Sequence, residues 1–224
     1  MSNARKIYEQ IVNLDYVQQH MIGKRPEDTW LDCKRKSHPT NGSLDESDRS
    51  NFAKALSGFA NTSGGVLIFG LDARSNDEGI DIIQTLNPIS NLNLFESELR
   101  ETESRIVERA IPGIEYKKFI IDHDGDRGII VIYVPEGPNP PYRSLVDKEF
   151  YVRTGDSFGP CDVSQIESLL FKKMKPDLDV KIFIKFENIF LDIYFQITNI
   201  GYSVAKHTLL ELRFTPELAA RMAL

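Results

Sequence analysis

Apolar positions along the chain recur with two different periods. Residues 4–21 place Ile7, Ile11, Leu14 and Met21 at helical spacing, and Gly23 with Pro26 closes the helix that this predicts. TWLDCK, 29–34, alternates instead. Trp30, Asp32 and Lys34 fall on one face of a short strand, Leu31 and Cys33 on the other. Beyond the loop HPTNGS, Ser43 and Glu46 have capping-box spacing. Phe52, Ala55, Leu56, Phe59 and Ala60 then form one apolar stripe, which predicts a helix over 45–60. GVLIFGLD, 65–72, is nearly continuous in apolar residues, as expected of a central strand covered on both faces.

Polar ARSNDEG, 73–79, reads as a loop. Residues 91–110 read as a helix with Phe95, Leu99, Ile106 and Ala110 inward and an acidic, solvated outer face. IEYKKFII and GIIVIYV are two strands joined as a hairpin across DHDGDRG. A proline-rich connection, EGPNPPYRS, leads to the strand EFYVRTG, and Asp162 with Gln165 can cap a helix over 163–173. After Lys175-Pro176 the pattern becomes strand after strand, about three in all, too few to close a β-sandwich. The expected fold class is α+β: a mixed, mostly antiparallel sheet flanked by helices, with 65–72 central. A small all-β segment follows. The expected division is 1–175 and 176–224.

Composition narrows the function classes. The 224 residues carry a net charge of −6, so any contact with nucleic acid must come from a local basic patch. Cys33 and Cys161 form no CxxC and are expected as reduced thiols, and the four histidines lack zinc-ligand spacing. The N-terminus has no signal-peptide core and no run approaches a membrane span, so a cytoplasmic protein without membrane contact is expected. Asp122, Asp124 and Asp126 mimic the start of a calcium loop. Tyr133 stands where the closing Glu would be, and a hairpin turn is the simpler reading.

The stretch ALSGFANTSGGVLIFGLD, 55–72, runs helix, glycine turn, strand. A phosphate-binding loop runs in the opposite order and ends at a helix N-terminus. Here the glycines follow a helix C-terminus and no GK[ST] appears, so a C-cap is expected and no nucleotide cofactor. The same stretch resembles the Schlafen AlbA_2 domain family. So do Glu27 with its five-residue step to Asp32-Cys33-Lys34, then IYVPEGPNPPYRS, then FYVRTGDS, in that order across residues 22–172. In RNA-cutting Schlafen proteins the resemblance implies a three-carboxylate site, which falls here on Glu27, Asp32 and Asp72. Oxygen ligands of this kind suit Mg²⁺ or Mn²⁺, which can activate water for phosphodiester hydrolysis. Two departures stand out: Asp32 replaces a Glu, and Cys33 replaces a Phe.

The resemblance also implies nucleic-acid contacts at Arg143 and Arg153. Lys34, Arg35 and Lys36 add the densest basic cluster, and Tyr142 and Tyr151 add stacking surfaces. Lys172, Lys173 and Lys175 read more simply as partners of a helix C-terminus. The leading expectation is a module that binds RNA or single-stranded DNA, with metal-dependent endoribonuclease activity as its catalytic form. A non-catalytic regulator or sensor, and an assembly scaffold, are the alternatives. Self-association as a homodimer through 177–224 is expected, because a few strands leave an apolar face and open edges.

Overall fold

The computed structural model describes residues 1–76, 79–122, 126–173, 176–187, 190–201, 203–206 and 208–211. The chain divides into two compact units, Met1–Leu170 and Phe171–Leu224. In chain order the elements are α1 (Asn3–Gln10), α2 (Leu14–Tyr16), a π-helical turn (Val17–Met21), β1 (Leu31–Lys34), α3 (Glu46–Asn61), β2 (Gly65–Phe69), β3 (Leu71–Ser75) and β4 (Asp81–Leu86). Then come α4 (Leu92–Glu103), β5 (Glu115–Asp122), β6 (Arg127–Val134), β7 (Tyr151–Thr154), β8 (Ser157–Pro160), α5 (Val163–Lys173), β9 (Leu178–Glu187) and β10 (Phe190–Asn199).

The first unit is built on a four-stranded sheet in the order β1-β2-β6-β5. β1 runs parallel to β2, and the other pairs are antiparallel. This is the mixed, mostly antiparallel α+β sheet that the hydrophobic pattern implies. Its centre is covered on both faces. Leu67 and Phe69 of β2 pack with Phe52, Leu56 and Phe59 of α3 and Phe95 of α4. Val66 and Ile68 point the other way, into a second core with Tyr8, Ile11, Met21 and Leu31. Period-two alternation therefore splits one apolar run between two cores, and each fully buried large side chain contributes about 2–3 kcal/mol.

Several expected boundaries move. The helix over 4–21 is interrupted at Ile11–Asn13, because the Asn13 side chain accepts the Tyr16 N–H and starts a new turn. Helix α3 is N-capped at Asp45, not Ser43, and the Asp45 carboxylate is used elsewhere, on Lys36. Helix α4 stops at Glu103; Ile106 is still buried beyond it, but Ala110 is exposed. The expected strand 65–72 breaks at Gly70, whose φ of 101° no L side chain adopts easily. β2 stays in the central sheet, whereas β3 leaves it, takes the first three residues of the loop expected over 73–79 and pairs with β4, a strand the pattern did not predict. β8, pairing with β7, was likewise not apparent from the pattern. The β5–β6 hairpin is present, with residues 123–125 of its turn outside the described residues. The capping box of α5 forms as expected: Asp162 Oδ1 accepts the Gln165 N–H and Gln165 Oε1 accepts the Asp162 N–H.

The glycine pair resolves as a C-cap. Gly64, at φ 75°, sends its N–H back to the Phe59 carbonyl, and a Cβ on Gly65 would collide with the Phe59 ring. In the second unit β9 and β10 form an antiparallel two-stranded sheet in full register. Among the described residues it contains two strands, and residues 212–214 at the end of the expected strand run lie outside the described residues.

Candidate functional site

Strand β1 presents its two faces to different surroundings. Leu31 and Cys33 enter the second core, and burial holds the Cys33 thiol well above its usual pKa. Asp32 points to the other face, where it is 1% exposed. There Arg153, delivered by β7, donates from its NH1 to Asp32 Oδ1 at 2.7 Å. The rest of that guanidinium is taken up by the Asp28 and Leu31 carbonyls. The Lys34 ammonium stands 2.8 Å from Asp32 Oδ2. Glu27 lies beside this group, and its Oε1 accepts the Cys33 N–H at 2.5 Å. Burial first, and the neighbouring Asp32 charge second, push the Glu27 carboxyl up to about 7.

These groups line a pocket of about 270 Å³. Asn51 and Lys54, one turn apart on α3, line it as well, together with Asp81, Asp156, Ser157 and Phe158. The Arg153 guanidinium stacks on the Phe158 ring at 4.4 Å, and Phe158 meets Phe59 edge-on. Gly58 permits that approach, since a Cβ there would strike the Phe158 ring. Lys54 lies over the Tyr151 ring and makes no carboxylate ion pair among the described residues. A larger open depression of about 480 Å³, lined by Leu44, Arg49, Arg105 and Leu145 among others, contains none of the sequence-predicted site residues.

Asp72 does not join Glu27 and Asp32. The break at Gly70 carries it onto β3, where it faces Thr85 of β4 and pairs with Arg74. Among the described residues no group of three Asp, Glu, His or Cys side chains is placed to hold a metal ion. The donor chemistry agrees. Asp32 is already neutralised by two cations, and one Glu27 oxygen is occupied by a backbone N–H. As arranged, the set does not fit a divalent ion, and no step through one is derived.

Of the expected nucleic-acid contacts, three are interior groups. Lys36 is fully buried, ion-paired to Asp45 and Asp48 and donating to the His38 carbonyl and Asn41 Oδ1. Arg153 is 4% exposed and consumed by Asp32. Tyr142 is 1% exposed, its ring against Gly137. Tyr151 is buried as well. Charge and aromaticity in the sequence do not report exposure, and here tertiary pairing claims all four. Arg35 is exposed, Lys34 is partly so, and Arg143 is half-buried, donating to the Lys148 carbonyl beside the Phe150 ring. Lys175 and the Lys173 side chain lie outside the described residues.

Two features escaped sequence reasoning. Lys54 gave no signal beyond its place on the polar side of the α3 stripe. Asn61 is a buried cross-link: its amide donates to the Tyr142 and Tyr151 carbonyls and accepts the Tyr142 N–H. Ser57 completes this junction through the Tyr142 carbonyl and the Tyr151 N–H. The network fixes the start of β7 against α3, and so places Arg153. Ser57 and Asn61 at i, i+4 inside an otherwise apolar stripe were the available clue.

Comparison with known proteins gives one family. The family model described as Schlafen, AlbA_2 matches residues 27–162, which span every residue of the pocket. Two solved structures are similar. The DIP2311 protein from Corynebacterium diphtheriae is 20% identical with a TM-score of 0.47, the match covering 74% of this chain and 28% of that one. The N-terminal domain of a RecG-related protein from Nitrosomonas europaea is 19% identical with a TM-score of 0.42, covering 73% of this chain and 95% of that one. The chain thus spans under a third of the Corynebacterium protein. No curated protein matches.

Proposed function

The chain belongs to the Schlafen AlbA_2 family, and on that premise we propose that its first unit is a nucleic-acid-binding module that engages RNA or single-stranded DNA. The carrying observation is the pocket at β1. Lys54 lines it without a carboxylate partner among the described residues, Lys34 is partly exposed, and Arg35 follows in solvent. In a chain of net charge −6, such a local set is what phosphate contact requires. Phe158, half-buried at the pocket wall, offers a ring surface for a base.

The test is fluorescence anisotropy with tRNA and with single-stranded DNA at low and high salt. Binding that weakens steeply with salt, and weakens further in Lys34→Glu/Lys54→Glu, supports the reading. No binding at low salt overturns it.

A hydrolytic reading is favoured by one observation. Glu27 titrates in the neutral range beside Asp32, as a group that exchanges protons with a phosphodiester substrate must. Incubating tRNA with the protein in Mn²⁺ or in EDTA, with Glu27→Gln as control, decides between binding alone and cleavage. Absence of cleavage in both media leaves a regulator or sensor module.

A further inference from the structure

The β9–β10 sheet of the second unit separates its side chains by chemistry. Antiparallel register sets Val180 opposite Ile197, Ile182 opposite Phe195 and Ile184 opposite Ile193. These six side chains share one face, because alternate residues of a strand point the same way. The opposite face carries Asp179 against Thr198, Lys181 against Gln196 and Lys185 against Asp192, interrupted by the pair Phe183 and Tyr194. The apolar face is open: Ile182 and Ile184 are 60% and 61% exposed. A two-stranded sheet in water is marginal until such a face is covered.

From this face we infer that the second unit is a dimerisation surface, its occupant the same face of a second copy, packed sheet on sheet about a two-fold axis. The face has no charged or hydrogen-bonding side chain among its six central positions, so its complement must be equally apolar and equally flat. The four-stranded sheet of the first unit has no such face to offer, since both of its sides are filled by that unit's own cores. A second copy of the same face meets both conditions, with no charged side chain to desolvate on either side. Self-complementarity of one patch is the defining property of a two-fold interface. Two twisted sheets pack in this way about 10 Å apart with interdigitating side chains. Burying the six side chains on each copy removes on the order of 1,000 Å² in total, the lower end of specific interfaces. The dimer is therefore expected to be concentration-dependent, since an interface of this size sits with the weak, transient ones.

Sedimentation velocity on the full chain, from about 1 to about 200 µM, tests this directly. The wild type should move from monomer to dimer across the range. Ile182→Lys/Ile184→Lys should remain monomeric, and Lys181→Ser/Gln196→Ser, on the opposite face, should dimerise like the wild type. Circular dichroism checks that each variant is folded. Hydrogen exchange of the wild type adds a reading free of substitutions: protection over 178–199 should rise with protein concentration. A wild type that stays monomeric, a lysine variant that still dimerises, or protection over 178–199 independent of concentration would each overturn the inference. None of these outcomes bears on nucleic-acid binding by the first unit, so the two readings fail separately.

Discussion

Two cations sit inside the first unit, and each is held by aspartate. Lys36 is surrounded. Asp45, Asp48, Asn41 and the His38 carbonyl ring its ammonium, Ser37 donates to Asp48 from its N–H and hydroxyl, and the Phe95 ring closes one side at 5.3 Å. Arg153 is equally buried, but its partner Asp32 belongs to a group that opens on a pocket with Glu27, Lys34 and Lys54. The first arrangement ties the loop before α3 to that helix and presents nothing outward. The second leaves a wall of polar groups in contact with solvent and a carboxyl shifted into the neutral range. Burial of a charged residue is thus no guide to function by itself. What distinguishes the two is whether the cluster is closed upon itself.

Substitutions can break this contrast. The largest effect is expected from Lys36→Met, which leaves Asp48 fully buried and unpaired. A loss of about 3–5 kcal/mol in urea denaturation is expected, with nucleic-acid binding unchanged in whatever fraction stays folded. A loss under about 1 kcal/mol would mean that the cluster does not hold the loop. Asp32→Asn strands the Arg153 charge, but the pocket admits water, so a smaller loss of about 2–3 kcal/mol is expected. Equal losses in the two variants would erase the distinction between closed and open.

The next effect depends on pH. Folding raises the Glu27 carboxyl from 4.5 to about 7, so the folded protein binds its proton more tightly than the unfolded chain. The resulting stabilisation is complete below about pH 4.5 and is lost as pH rises through 7, up to about 2 kcal/mol with solvent access allowed for. Glu27→Gln should flatten the stability curve between those values, measured by denaturation at a series of pH values. An unchanged slope would assign the titration to another group. The smallest stability effect is expected from Lys54→Ala, within about 0.5 kcal/mol of wild type. Its nucleic-acid affinity should nevertheless fall, with the salt slope reduced by about one unit. A large stability loss with an unchanged salt slope would make Lys54 a structural residue like Lys36.

Much of the fold follows from periodicity. The stripe on α3, the alternation in β1 and the apolar run at 65–69 each dictate an element and its buried face, because helices and strands repeat at distinct intervals. The capping box at Asp162 and the glycine C-cap after α3 are equally local, decided by a few neighbouring residues. Candidate-site residues divide differently. Glu27, Asp32 and Lys34 are close in sequence, and their grouping survives folding. Asp72 was expected to join them as the end of a straight strand, and one residue in a left-handed conformation, Gly70, sends it to another sheet.

The sequence by itself thus determined most of the secondary elements, the two-sided burial of β2, the family and the acidic balance that confines any basic surface to a patch. The tertiary structure alone decided which charges are available. Lys34, Lys36, Lys54 and Arg153 are all cations in a sequence, and nothing in their spacing tells them apart. They differ because folding brings Asp48 to one and Asp32 to two others, and leaves Lys54 facing a pocket without a carboxylate partner among the described residues. Ion pairing acts through space over a few ångströms, between residues as far apart in the chain as 32 and 153, and no local period encodes it.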